Sequence, residues 1–136
     1  MNIIFVCKHN IFRSRVAEAY FKSINKNKKI KAISGGLLKG VSLSTNQTKA
    51  MKEQGIKFVS KPKNISVKLL AKQDLTIITA DDISKTLFNN KDYNKKVIQW
   101  NIPDVLDNNK EKAIKTIKLI KYKVQQLVKD LEDKKW

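Results

Sequence analysis

The stretch Ile3–Phe21, IIFVCKHNIFRSRVAEAYF, decides how the chain is read. Ile3 to Val6 form an unbroken apolar run, the pattern of a short parallel strand buried on both faces. From Ser14 to about Asn25, Val16, Ala17, Tyr20, Phe21 and Ile24 recur at spacings of one, three and four, which places them on one face of a helix. Between strand and helix lies a loop that begins at Cys7, the chain's one cysteine, and reaches Arg13 after five residues. A loop feeding a helix N-terminus turns successive N–H groups into a concavity suited to a tetrahedral oxyanion. The same positive field favours a thiolate over a thiol at Cys7. Arg13 adds a planar fork that can hold two phosphate oxygens at once, which lysine cannot imitate. Asn10 suits a position of positive φ, and Ser14 can donate to the sulfur or cap the helix.

Outward from this segment, strand and helix signals alternate. Lys29–Ser34 reads as a second strand ended by Gly35-Gly36. Ser44 or Thr45 caps a helix running to Gln54 and stopped by Gly55. Ser66–Lys72 is a short helix, Leu75–Thr79 a third strand, and Asp81-Asp82 open another short helix. Val97–Trp100 is a fourth strand. The segment from about Lys110 to Glu132 is a long helix, with Ile117, Ile120, Val124, Leu127 and Leu131 spaced three and four apart. This order predicts an α/β fold: a single three-layer domain over residues 1–136, with a four-stranded parallel sheet and helices on both faces. In such sheets ligands bind outside the carboxyl ends of the strands, and Cys7 stands at the carboxyl end of the first.

The length, 136 residues, suits one domain, and 41% hydrophobic with 30% charged residues is the composition of a folded chain. The apolar run before Cys7 is too short for a signal peptide, and no stretch approaches the roughly 18 apolar residues of a membrane span. A cytoplasmic location with no membrane partner is expected. One cysteine cannot form an internal disulfide. Cys7 and His9, the only histidine, fall short of the about four ligands of a structural zinc site. The net charge of +17 would suit nucleic acid, an anionic membrane or an acidic substrate. Yet only Arg13 and Arg15 of the 29 basic residues are arginines, and the 27 lysines are spread along the whole chain. A nucleic-acid binder clusters its charge and interleaves aromatics, so the charge reads as a global lysine bias, and nucleic acid is not the expected partner.

The segment CKHNIFRS, Cys7–Ser14, resembles the Cys-x5-Arg-Ser signature of the low-molecular-weight protein tyrosine phosphatases. The likeness continues in order along nearly the whole chain, through AEAYF after the loop, ISGG at Ile33–Gly36, MKEQGIKF at Met51–Phe58, LTIITADD at Leu75–Asp82 and IPDVLD at Ile102–Asp107. The resemblance implies a four-stranded parallel sheet with flanking helices and a two-step hydrolysis of phosphate monoesters without metal or cofactor. Cys7 would attack phosphorus to give a cysteinyl-phosphate. Arg13 would hold the phosphoryl group together with the loop residues Lys8, His9, Asn10, Ile11, Phe12 and Ser14. Asp104 would protonate the leaving oxygen, with Asp107, three residues on, as the alternative acid. Asp104 is followed by Val105 where the family has proline. Val105, Leu106, Leu37 and Leu38 stand where the family places aromatics, although Ile11 matches the tyrosine-type loop. Phe12 replaces the second loop cysteine. His9 stands where many members have glycine; it resembles the loop of related arsenate reductases, or is a surface side chain over the pocket mouth. The implied substrate is a phosphorylated protein or a small aryl phosphate. Two alternatives stay open: arsenate reduction with an external thiol, because the two further cysteines of the thioredoxin-coupled branch are missing, and a non-catalytic phosphoprotein binder.

Overall fold

The computed structural model describes residues 1–38, 40, 42–88, 96–105 and 109–133. Ile3 to Val6 are fully buried, as an apolar run without alternation requires. They belong to strand β1 (Asn2–Cys7), which is hydrogen-bonded in parallel to β2 (Lys31–Gly36) on one side and β3 (Leu75–Ile78) on the other. A fourth strand, β4 (Val97–Gln99), extends the sheet beyond β3, giving the order β2-β1-β3-β4. The chain leaves β1 for one side and returns on the other. The loops that follow β1 and β3 therefore part at the carboxyl edge and open a crevice.

Alternate residues of the strands serve two layers of different thickness. Ile3, Phe5, Leu75 and Ile77 face the main core, where they meet helix α1 (Arg13–Ile24) through Val16, Ala17 and Phe21. Helix α4 (Lys110–Glu132) closes this side with Ile117, Ile120, Val124 and Leu127, and helix α2 (Thr45–Glu53) packs against α4. The Phe5 ring lies 5.9 Å from both Phe21 and Trp100. Ile4, Val6 and Ile78 face the other side, covered by Leu70 of the short helix α3 (Val67–Ala71) and by Phe88 at the end of a 3-10 turn, Lys85–Phe88. Helices thus lie on both faces, as the alternating order predicts.

The local signals act where expected, with two differences. Ser44 is the cap of α2, in a reciprocal capping box with Gln47, and Thr45 is the first helical residue. The chain leaves that helix through Gly55, whose φ of 68° a side chain would disfavour. Ser66 and Asn109 cap α3 and α4. The first difference is β2, which does not stop at the glycines. Gly35 and Gly36 pair with Val6 and Cys7 and carry the sheet up to the loop. The second is Asp81-Asp82, which lie in a bend and open no helix. The Asp82 carboxylate is turned to Arg13, and the following turn is organised by the Ser84 hydroxyl, which accepts from the Thr86 N–H at 3.3 Å. Asp107 and Leu106 lie outside the described residues.

Burial along α4 makes the packing testable. Ile120 is fully buried and its neighbour Leu119 is 37% exposed. Ile120→Ala is expected to lower stability by about 2–5 kcal/mol through lost transfer energy and a residual cavity. Leu119→Ala is expected to cost about 0.5–1 kcal/mol. Urea unfolding of both variants checks this, and equal shifts would show that α4 does not pack by that face.

Candidate active site

The loop from Cys7 to Arg13 turns its carbonyls outward. The Lys8 carbonyl accepts from the Leu37 and Leu38 N–H groups, each at 2.9 Å, and the Cys7 carbonyl from Leu37 at 3.3 Å. The Phe12 carbonyl accepts from the Val16 N–H at 2.8 Å, and that of Ile11 from Arg15 Nη1 at 3.3 Å. Across a planar trans peptide the N–H points opposite to the carbonyl. The amides of Lys8, His9, Phe12 and Arg13 therefore aim away from those partners. Asn10 makes the turn in the left-handed region, at φ 54°. The loop rests on bare backbone at Gly36, where a Cβ would lie 2.7 Å from the Asn10 nitrogen.

Behind the loop a hydrogen-bond relay ends on the sulfur. Asn10 Nδ2 donates to Ser14 Oγ at 2.7 Å, and Ser14 Oγ stands 2.9 Å from Cys7 Sγ. Ser14 accepts from Asn10, and toward a thiolate, which carries no hydrogen, only the Ser14 hydroxyl can donate. Ser14 therefore serves the thiol and not the helix end; the cap position belongs to Phe12, which makes no side-chain capping bond. Asn10 and Ser14 are fully buried and Cys7 nearly so.

Arg13 is 3% exposed and crosses the crevice. Its Nη1 donates to the Ile102 carbonyl at 2.8 Å, and its Nη2 to both Asp82 oxygens at 3.0 and 3.2 Å. Asp104 Oδ2 lies 3.8 Å from Nη2 and Asp81 Oδ1 3.9 Å from Nη1. The Ile102 carbonyl also accepts the Asp81 N–H at 3.1 Å, which joins the exits of β3 and β4 beneath the arginine. A buried guanidinium needs such partners, since an unpaired one would lose its hydration without return.

A second layer fixes the relay from below. Glu18 is 1% exposed and accepts from Ser34 Oγ at 2.5 Å, Ser60 Oγ at 2.6 Å and Lys22 Nζ at 2.6 Å. Burial pushes its carboxyl up, but the three donors and the Lys22 charge outweigh that and hold it below the usual value. Arg15 donates through Nε and Nη2 to the Ser60 carbonyl at 3.2 and 2.9 Å, with its guanidinium 3.9 Å over the Phe58 ring. Burial pulls the Arg15 pKa down, against the opposing charges of Glu18 and Cys7. Three residues past Ser60, the Lys63 N–H donates to Asn10 Oδ1 at 3.0 Å.

The structure thus gathers Cys7, Asn10, Arg13, Ser14 and Asp104 at one edge of the sheet. Lys8, His9 and Ile11 line the rim, half-buried. Phe12 differs from its expected part: its side chain is 3% exposed and packed in the main core, so only its backbone faces the loop. Sequence reasoning missed Asp82, whose signal was its place just after a strand at the point where strand order reverses. It also missed Glu18, Ser34, Ser60 and Lys63, which are brought together across tens of residues and leave no local pattern.

Glu18 gives the site a pH signature. A depressed carboxyl contributes stability that is complete above its unfolded pKa and is lost as pH falls through its folded pKa. Glu18→Gln is expected to cost roughly 1.5–3 kcal/mol near neutral pH, the loss of charge-assisted hydrogen bonds. The gap to wild type should narrow as pH falls past the unfolded value of about 4.3 and close only below the lower folded pKa, where both side chains are neutral. Urea midpoints at pH 7 and pH 3 test this, and a constant gap would contradict it.

Solved structures resemble the chain in fold. An arsenate reductase from Archaeoglobus fulgidus is 26% identical with a TM-score of 0.74, covering 93% of this chain and 98% of that one. A protein tyrosine phosphatase from Entamoeba histolytica gives a TM-score of 0.87 at 21% identity, covering 100% and 99%. The arginine phosphatase YwlE, as a cysteine-to-serine mutant with a phosphorylated active-site serine, gives 0.80 at 23% identity, covering 97% and 96%. No curated protein sequence matches the chain. The family model for low molecular weight phosphotyrosine protein phosphatases matches residues 2–136, so the chain belongs to that family and is an enzyme of that kind.

Proposed function

We propose that residues 1–136 act as one catalytic domain that hydrolyses phosphate monoesters through a cysteinyl-phosphate. The observation that carries this reading is the convergence of the relay-held Cys7 sulfur, the buried Arg13 fork and the Asp104 carboxylate on one crevice. The Cys7 thiolate attacks phosphorus, forming the S–P bond as the ester P–O bond breaks. The leaving oxygen takes its proton from Asp104. Loop amides and Arg13 hold the equatorial oxygens, where charge spreads in the transition state. Water then attacks phosphorus, Asp104 takes its proton, and the S–P bond breaks to return the thiolate. Ser14, with Asn10 behind it, stabilises the sulfur anion at both ends of the cycle. The phosphorylated serine of the YwlE mutant fits the first step.

Phosphorylated protein or aryl phosphate is the substrate class this reading takes. The setting is cytoplasmic, where a lone thiol nucleophile stays reduced. Among the described residues no helix is long and apolar enough to cross a membrane. Arsenate reduction is the second reading, favoured by the likeness to the Archaeoglobus protein. With Cys7 the one cysteine, it would require an external thiol to release the product.

Cys7→Ser is expected to abolish turnover of aryl phosphates while keeping phosphate or vanadate affinity; retained turnover would remove Cys7 as nucleophile. Arsenate reduction by the wild type with an added thiol, without aryl phosphate turnover, would favour the second reading. Arg13→Lys keeps the charge but loses the fork, and should lower kcat by about 10²–10³-fold. A near-wild-type rate would show that bidentate geometry does not matter.

Asp104→Asn should slow esters with poor leaving groups by about 10²–10⁴-fold and spare those with good ones. Asp107→Asn should change neither. The test is kcat across aryl phosphates of graded leaving-group pKa; a steeper dependence in Asp107→Asn alone would move the acid to that residue.

A further inference from the structure

We propose that the groove beside the Cys7–Arg13 loop is a second anion subsite, and that it selects phosphorylated peptides carrying acidic residues next to the phosphoester. The proposal rests on the phosphatase reading and names its substrate class. The groove has a volume of about 780 Å³ and is lined by His9 and Ile11 of the loop and by Lys61, Lys63 and Asn64 of the facing segment. Three of its lining residues are of basic type, and no carboxylate lines it among the described residues. Since His9 and Ile11 form one wall, a group lying in the groove adjoins whatever the loop holds.

The basic wall is built into the site and does not hang free. The Lys63 N–H is bonded to Asn10 Oδ1 at 3.0 Å, and its carbonyl accepts from the Gly36 N–H at 2.9 Å. Ser60, just upstream, is held by both Glu18 and Arg15. Pro62 fixes φ between the two lysines. The backbone that presents Lys61 and Lys63 is therefore tied to Asn10 of the loop, to Gly36 of β2 and to Glu18 and Arg15 of α1, while the two side chains remain exposed.

The other rim of the crevice has the opposite sign. Asp81, Asp82 and Asp104 gather around Arg13. A substrate carboxylate beside the phosphate is repelled from that rim and drawn toward Lys61 and Lys63, so the field sets the direction in which the peptide lies as well as its affinity. The net charge of +17 would attract any anion weakly from all sides. The groove differs in being local, so its effect is separable from the total charge.

The test uses two phosphotyrosine peptides that differ only in having glutamate or glutamine on both sides of the phosphotyrosine. Their Kd values are measured on Cys7→Ser, which needs no turnover. The acidic peptide should bind roughly threefold to tenfold tighter at low salt, the scale of one or two exposed ion pairs, and the ratio should shrink as salt rises. Adding Lys61→Gln with Lys63→Gln should bring the ratio close to one. Adding Lys118→Gln with Lys129→Gln, an equal loss of charge from exposed positions on α4, should leave it intact. Equal binding of the two peptides, a preference that survives the groove pair, or one that the α4 pair removes as fully would each overturn the subsite. Wild-type turnover of a plain aryl phosphate, measured alongside, reports separately on the phosphatase reading.

Discussion

The Asn10 carboxamide ties three pieces of chain into one site. Its oxygen accepts the Lys63 N–H, its nitrogen donates to Ser14, and Ser14 reaches the Cys7 sulfur. The residue stands at φ 54°, a conformation that asparagine tolerates better than most side chains. The closeness of Gly36 follows from the same turn, since a side chain there would push the loop off the strand beneath it. Loop shape, sulfur environment and the seating of segment 60–64 are thus one arrangement, held by short bonds with no exposed member at its centre.

Charge is arranged around this centre in layers. Glu18, buried below the loop, takes three donors and so anchors the Ser60 segment from which Lys63 reaches Asn10. Arg15 binds the same segment from the helix side and clasps the end of the loop through the Ile11 carbonyl. The two arginines, adjacent in sequence but for Ser14, therefore divide the work. Arg13 points across the crevice to the exits of β3 and β4, and Arg15 points back to the support. Buried ions of this kind add little net stability against apolar packing but fix geometry, because a misplaced partner would leave a charge uncompensated.

The sheet explains why these groups meet. β1 and β3 are neighbours whose connections depart to opposite sides, so the crevice between their ends is a necessary product of the strand order. Thr79 secures it, donating through both its N–H and its hydroxyl to the Val6 carbonyl at 2.7 and 3.0 Å, one residue before Cys7. Among the described residues, the layer of α1, α2 and α4 supplies most of the core, and α3 with the 3-10 turn covers the other face more thinly.

Much of this was legible in the chain itself. The apolar run Ile3–Val6, the periodicity of α1 and α4, the capping at Ser44 and Ser66 and the spacing from Cys7 to Arg13 are contiguous signals, and the elements they predict form within a residue or two of where they point. A local pattern suffices for the helices because their hydrogen bonds close within four residues, and for β1 because an apolar run without alternation is at home only where a strand is buried on both faces, even though its partners lie tens of residues away. The glycines after Ser34 were misleading, since they also mark a stop in most chains; here β1 pairing and the loop above them keep the strand going. What the sequence could not assign was the choice of partner across long separations. Arg13 meets a carbonyl 89 residues away and an aspartate 69 away, Glu18 a serine 42 away, and Asn10 an amide 53 away. Those pairings are set by strand order and layer packing, which bring distant side chains within hydrogen-bonding range and let burial force each polar group to find its partner. The amino-acid order determined the elements and the chemistry of the loop. The tertiary structure alone decided which carboxylates surround Arg13 and which segment holds the thiol's relay in place, because only the packed sheet brings those groups into reach.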